Sequence, residues 1–89
     1  METNVQIKSN IDDYTIHYRY NHYSEAVFIT LKYKEQVIFS DLSYFYKNFI
    51  DMSIEEMHAA VFNLQKEYSI PICVADDIVR GLWANEFFN

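Results

Sequence analysis

The chain has little glycine, proline, cysteine or positive charge: one Gly, one Pro and one Cys among 89 residues, with seven Lys and Arg. So little Gly and Pro excludes collagen-like, linker-like and low-complexity chains. A lone Cys73 cannot build an internal disulfide framework. The first ten residues lack the apolar run of a signal peptide, and no uncharged stretch is long enough to span a bilayer. We therefore expect a cytoplasmic protein.

Acidic residues outnumber basic ones by thirteen to seven, which gives a net charge of −6. Residues 1–50 carry five basic and six acidic groups, whereas residues 51–89 carry two and seven. Binding to nucleic acid depends on clustered Lys and Arg, so we expect no nucleic-acid partner. A neutral or basic protein partner facing the C-terminal half fits this charge better. The alternative is a solvated acidic surface that only keeps the domain in solution.

Aromatic residues make up 18% of the chain and begin in an alternating pattern. Apolar and polar residues alternate over 14–20 and again over 27–33, which is typical of half-buried strands. A short third strand is predicted over 36–39. Residues 1–12 are interpreted as a polar tail or edge segment, and residues 13–89 as one α+β domain.

The apolar spacing becomes helical after residue 40. Apolar residues from Leu42 to Ile50 predict a first helix, and Ser53 followed by Glu56 predicts a capping box that starts a second. A third helix is predicted over 74–85. The predicted fold is therefore α+β: a three-stranded antiparallel sheet followed by three helices packed on one face of it, in a winged helix-turn-helix-like arrangement. The predicted core comprises Ile16, Val27, Ile29, Leu31, Phe39, Leu42, Phe45, Phe49, Met57, Val61, Leu64, Ile78 and Leu82.

The sequence contains no recognisable catalytic constellation. A phosphate loop needs several glycines, and Gly81 is the only one. Cys73 sits in an apolar Ile-Cys-Val run with no neighbouring base and is interpreted as a buried packing residue. His17 and His22 flank the first turn, and no third ligand lies near them in the sequence. We therefore predict a protein that is not an enzyme and has no metal and no cofactor.

Residues 27–89 follow one pattern, in which strands lead to a short helix, an Asp-containing break and a capped helix. The stretches that carry this pattern are 37–41, 49–56, 67–70, 77–82 and 86–88. This pattern resembles the PqqD-like family, the leader-peptide recognition modules of ribosomal-peptide modification. The family usually has Asp-Gly at the break and Gly in the strand turn, whereas this chain has Asp51-Met52 and Lys34-Glu35.

The resemblance implies a chaperone that presents a precursor peptide to a modifying enzyme. The peptide is expected to add as a strand beside the third strand, with its apolar side chains beneath the last helix. The residues that map to this groove are Gln36, Val37, Ile38 and Phe39 on the strand and Ile78, Val79, Leu82 and Trp83 on the helix.

The edge formed by residues 36–39 is expected to be open, because nothing later in the sequence predicts a strand to pair with it. Glu35 is the only nearby charge, so the edge has little protection against further pairing. A homodimer through this edge is a further expectation. The alternative function is a small acidic inhibitor, of the phage-encoded anti-defence or toxin-immunity type, that blocks an enzyme by protein–protein binding. A winged-helix transcription regulator is a third hypothesis, which the negative charge disfavours.

We predict that the purified chain retains no stoichiometric zinc, because its sequence brings no third ligand close to a His pair. Elemental analysis of the protein, prepared without chelator, measures this directly. Zinc at one equivalent per chain would contradict the prediction. So would an activity that Cys73→Ser abolishes without unfolding the protein.

Overall fold

Four strands and two helices are described in the computed structural model, which covers residues 4–21, 23–45, 48–49 and 51–83. The elements are β1 (Asn4–Ile11), β2 (Tyr14–Asn21), β3 (Ala26–Tyr33), β4 (Gln36–Phe45), α1 (Ile54–Tyr68) and α2 (Ile72–Trp83). The chain divides into two units, Met1–Tyr46 and Lys47–Asn89, which we call the sheet unit and the helical unit. The predictions that involve His22, Ile50 and residues 84–89 fall outside the described residues.

The prediction of three strands followed by three helices is wrong, because the described chain has a four-stranded antiparallel sheet followed by two helices. The additional strand is β1, which pairs with β2 from Asn4–Asn21 to Ile11–Tyr14. Five of its eight residues are polar, and Ser9 interrupts the alternate apolar positions Val5, Ile7 and Ile11, so the alternation that predicts a strand is weak. Backbone hydrogen bonds to a neighbouring strand do not require that alternation. The turn that joins the two strands includes Asp12 with a left-handed φ of 54°, a conformation that Asp tolerates.

The predicted first helix is replaced in part by the end of β4, which continues to Phe45. Leu42 pairs with Ile29, and Phe45 pairs with Ala26. Residues three apart on a strand point to opposite faces, whereas on a helix they share one face. The spacing of Leu42 and Phe45 thus matched a helix, although the two side chains occupy different faces of the sheet.

The buried side chains of the sheet unit come mainly from the two central strands. In three cross-strand pairs both side chains are buried: Ile16 with Leu31, Tyr18 with Ile29, and Tyr20 with Val27. Most of the predicted core is buried, but Leu42 is half-buried and Phe45 is exposed. Tyr18 and Tyr20 are buried as well, although the core prediction does not include them.

The helical unit begins with the predicted capping box. The amide of Glu56 donates to the Ser53 hydroxyl at 3.1 Å, and the Ser53 amide donates to the Glu56 carboxylate at 3.4 Å. Each interaction satisfies an N–H group that the first helical turn leaves without a partner. The α1 helix ends at Ser69, whose φ of 54° is left-handed and whose N–H donates to the Gln65 carbonyl.

The second helix is tied back to the residues that precede the first. The Trp83 indole N–H, at the end of α2, donates to the backbone carbonyl of Met52 at 2.7 Å. The buried residues of the two helices are Met57, Val61, Leu64, Val74, Ala75, Ile78, Val79, Gly81 and Leu82. In the described part of the chain, neither helix has the length and apolar character needed to cross a membrane.

We predict that Leu64→Ala lowers the free energy of unfolding by about 2–5 kcal/mol, because Leu64 is 5% exposed and its removal leaves a cavity. Denaturant titration followed by circular dichroism measures the change. Asn63→Ala is the matched control, since Asn63 is its exposed neighbour on the same helix and should shift stability by no more than about 0.5 kcal/mol. Equal effects of the two substitutions would show that Leu64 is not enclosed.

Candidate functional site

The accessible edge of β4 is the candidate site. The strand order is β1-β2-β3-β4, so within the described residues β4 has a hydrogen-bonded neighbour on one side only. The other side of an edge strand carries N–H and C=O groups that can pair with a further strand. The predicted strand 36–39 is therefore at the edge of the described sheet, as the first part of a ten-residue strand.

The edge is not regular along its whole length. Positions Ala26–Ile29 of β3 pair in continuous register with Leu42–Phe45, but the register shifts between Ile29 and Leu31 and again between Leu31 and Lys32. Each shift leaves one additional residue in β4, so the ten residues of β4 lie along the eight of β3. Such bulges bend a strand and limit pairing along an edge. The expectation that this edge has little protection is therefore wrong, because the bulges add to the nearby charge of Glu35.

Asp41 lies in the irregular part of β4 and has a left-handed φ of 53°. Its amide donates to the Thr30 hydroxyl oxygen at 3.1 Å, so a side chain of β3 takes the place of a backbone partner. The Asp41 carboxylate lies 3.7 Å from the Arg19 guanidinium, which is 4.6 Å from the centre of the Phe28 ring. This ion pair is largely solvated and contributes no more than about 1 kcal/mol. Its role is to hold Arg19 and Asp41 on one face of the sheet.

That face also carries the two exposed apolar side chains of β4. Val37 pairs with Lys32 and is 51% exposed, and Phe45 pairs with Ala26 and is 46% exposed. Because their partners are both even-numbered residues of β3, both side chains lie on the face of Phe28 and Thr30. The edge thus presents an apolar residue near each end and a charged pair between them, beside a hollow of about 270 Å³.

The predicted strand residues differ in accessibility. Gln36 and Val37 are exposed, Ile38 is half-buried, and Phe39 is buried at 9% exposure. Phe39 pairs with Leu31 and so lies on the opposite face from Val37. A strand added at this edge would therefore meet Gln36 and Val37 directly.

The predicted helix residues belong to the helical unit, whereas the strand residues belong to the sheet unit. Ile78, Val79 and Leu82 are buried, and Trp83 is half-buried with its indole N–H bonded to the Met52 carbonyl. These burials leave Trp83 as the most accessible of the four. Their assignment to a peptide groove stays a prediction.

Sequence reasoning missed Arg19, Asp41 and Phe45. Arg19 and Phe28 pair directly across β2 and β3, so the strand register would have brought them together. The spacing between Phe45 and Leu42 fits a helix, so Phe45 was predicted to be a core residue of the first helix. No sequence signal marks Asp41 as a bulge residue, because its left-handed backbone depends on the mismatch in length between β3 and β4.

Cys73 is exposed, so its interpretation as a buried packing residue is wrong. It lies beside Asp76, Asp77 and Arg80 on the accessible side of α2, while Val74 and its helical neighbours fill the buried side. Among the described residues, no group of three or more His, Cys, Asp and Glu side chains is arranged to hold a metal ion.

Comparison with known proteins adds no relative. No family model, no curated protein and no solved structure matches the chain.

We predict that Thr30→Val exposes the Asp41 amide to faster hydrogen exchange, because valine cannot accept its hydrogen bond. The loss in unfolding free energy should be about 0.5–1.5 kcal/mol. Thr15→Val is the matched control: the Thr15 hydroxyl donates to the Asn10 side chain at 3.3 Å and plays no part at Asp41. Unchanged Asp41 exchange in Thr30→Val would contradict the assigned role of Thr30.

Proposed function

We propose that this protein is a non-catalytic binding module that takes up an extended segment of a partner protein along β4. The observation that carries the proposal is the accessible β4 edge, with Val37 and Phe45 exposed on one face. In strand addition, backbone hydrogen bonds supply affinity and alternate side chains supply selectivity. Both elements are available at this edge.

The regular part of the edge defines where pairing is easiest. Leu42–Phe45 keeps continuous register with β3, so a partner strand meets an undistorted backbone there. On the accessible face, Phe45 offers an apolar contact and Asp41 offers a carboxylate that is 67% exposed. A segment with an apolar residue opposite Phe45 and a Lys or Arg near Asp41 fits this surface. Beyond the bulge, Val37 offers a second apolar contact.

The overall charge supports the same class of partner. The net charge of −6 favours encounter with neutral or basic segments and repels nucleic acid. A leader peptide delivered to a modifying enzyme is the ligand that the PqqD-like resemblance suggests, and it remains the first candidate. The three-strand, three-helix fold of that resemblance is not the fold of this chain, so the proposal depends on the β4 edge and not on a winged helix.

We predict that short extended peptides selected from a displayed library bind with contact at Phe45 and Val37. Phe45→Asp and Val37→Asp should each weaken binding at least about tenfold, because each places a carboxylate in an apolar contact. Titration calorimetry measures the affinities, and amide exchange should show protection within residues 36–45. Ile7→Asp is the control, since Ile7 is a 40%-exposed aliphatic residue of the opposite edge strand β1.

The inhibitor hypothesis gives a different result in the same experiment. Under that hypothesis, the contact surface is formed by the acidic groups of the helical unit. Residues 47–89 carry seven acidic and three basic residues. If a bound partner protects the faces around Glu55, Glu56 and Glu67 while residues 36–45 exchange freely, the strand-addition proposal fails. Equal loss of affinity with Ile7→Asp and Phe45→Asp would also contradict it.

A further inference from the structure

The side of α1 that faces away from its buried residues carries an ordered stripe of four exposed side chains. They are Glu55, Ala59, Phe62 and Lys66. At 100° per residue, all four fall within an arc of about 60°, nearly opposite the buried side of the helix. Phe62 is 62% exposed, which is unusual for a Phe in the middle of a helix. Such an exposed aromatic residue is a typical anchor of a protein interface.

The stripe is complementary to itself when its direction is reversed. Read from the N-terminus, it presents a negative residue, a small residue, a large apolar residue and a positive residue. Two copies of α1 placed antiparallel, with the two-fold axis between residues 60 and 61, bring Glu55 of one copy level with Lys66 of the other. The same operation brings Ala59 of one copy opposite Phe62 of the other. Every position therefore meets a chemically matching position.

Neither charged end of the stripe has an ion-pair partner within the described residues of its own chain, where the salt bridges are those of Arg19 and Arg80. Glu55 and Lys66 are separated by about 16 Å along the helix axis, so they do not meet within one chain. An antiparallel copy places both within reach of an opposite charge. The small Ala59 at the centre lets the helix axes approach closely enough for Phe62 to pack.

We propose that the protein forms a two-fold symmetric dimer through α1, with Phe62 of each copy packed on Ala59 of the other and Glu55–Lys66 ion pairs at both ends. This isologous arrangement closes on itself and does not propagate into filaments. It goes beyond the proposed peptide-binding function and uses none of the β4 edge. Because one helix per copy buries a small area, association is weak and depends on concentration.

The experiment is sedimentation velocity of the full chain over about 10 µM to about 1 mM, with Glu55→Lys, Lys66→Glu and the double variant. Each single reversal places like charges at both ends of the dimer and should weaken association about tenfold. The double variant recreates both pairs with exchanged signs and should recover the native association constant within about threefold. Phe62→Ser should weaken association at least about tenfold, because it removes the apolar anchor.

Glu67→Lys is the matched control, because it makes the same charge change on α1 about 100° away from the stripe. It should leave association unchanged, and circular dichroism of each variant checks that the fold is retained. A monomer at all concentrations, or a double variant as weak as the single ones, would overturn the proposal. So would association that Val37→Asp abolishes and Phe62→Ser does not affect, because that result assigns the contact to the sheet edge.

Discussion

The mismatch in length between β3 and β4 determines the form of the β4 edge of the sheet. The ten residues of β4 lie along the eight of β3: one additional residue is absorbed at 40–41, where Asp41 becomes left-handed, and the other between Val37 and Phe39. A non-Gly residue in that conformation costs about 1–2 kcal/mol. The Thr30 hydroxyl offsets part of this cost by accepting the Asp41 N–H. The bulge both protects part of the edge and leaves the four residues after it in regular register.

The parts of the fold that local sequence determines were predictable. The capping box at Ser53 and Glu56 depends on residues close together in the chain. The two central strands were equally clear, because apolar residues recur at every second position over 14–20 and 27–33. In contrast, β1 is mostly polar, and it exists because β2 offers it backbone partners. A local sequence pattern does not show whether a neighbouring strand is available for pairing. Residues 1–12 were therefore interpreted only as a polar tail or edge segment.

The low glycine content also gave a poor indication of the turns. The structure has positive φ angles at Glu25 and Lys34, among other non-Gly residues, and no positive φ at the single Gly within the described residues. In a hairpin turn, the residues with positive φ are usually Gly or Asn. Here the hairpins form without that signal because the strands they join are well paired. The Asn21 side chain also accepts amide hydrogen bonds from Tyr23 and Ser24, which organises the longer turn.

The candidate site was located in the sequence only to the level of the strand. The edge position follows from strand order, but which side chains face outward depends on register, and each shift changes the face. Val37 and Phe39 show the effect, since they lie on opposite faces of the same edge. The helix residues proposed beside that edge show a different limit. An apolar stripe such as Ile78 and Leu82 predicts burial, and the structure buries both. The same stripe cannot distinguish a core from a groove.

The two surfaces proposed for this chain lie in different units and make different demands on a partner. Strand addition at β4, as proposed, requires only a segment that can extend its backbone, so its selectivity would depend on a few side-chain contacts around Phe45 and Asp41. The proposed α1 contact requires a second helix with the same order of charge and size in reverse, which another copy of this chain supplies. A dimer formed through α1 carries two β4 edges. A partner with two suitable segments would then bind both, and the second contact would be intramolecular, which raises the overall affinity without any new interaction. Weak contacts at each edge are sufficient under that arrangement, and a bulge that shortens the regular register is compatible with function.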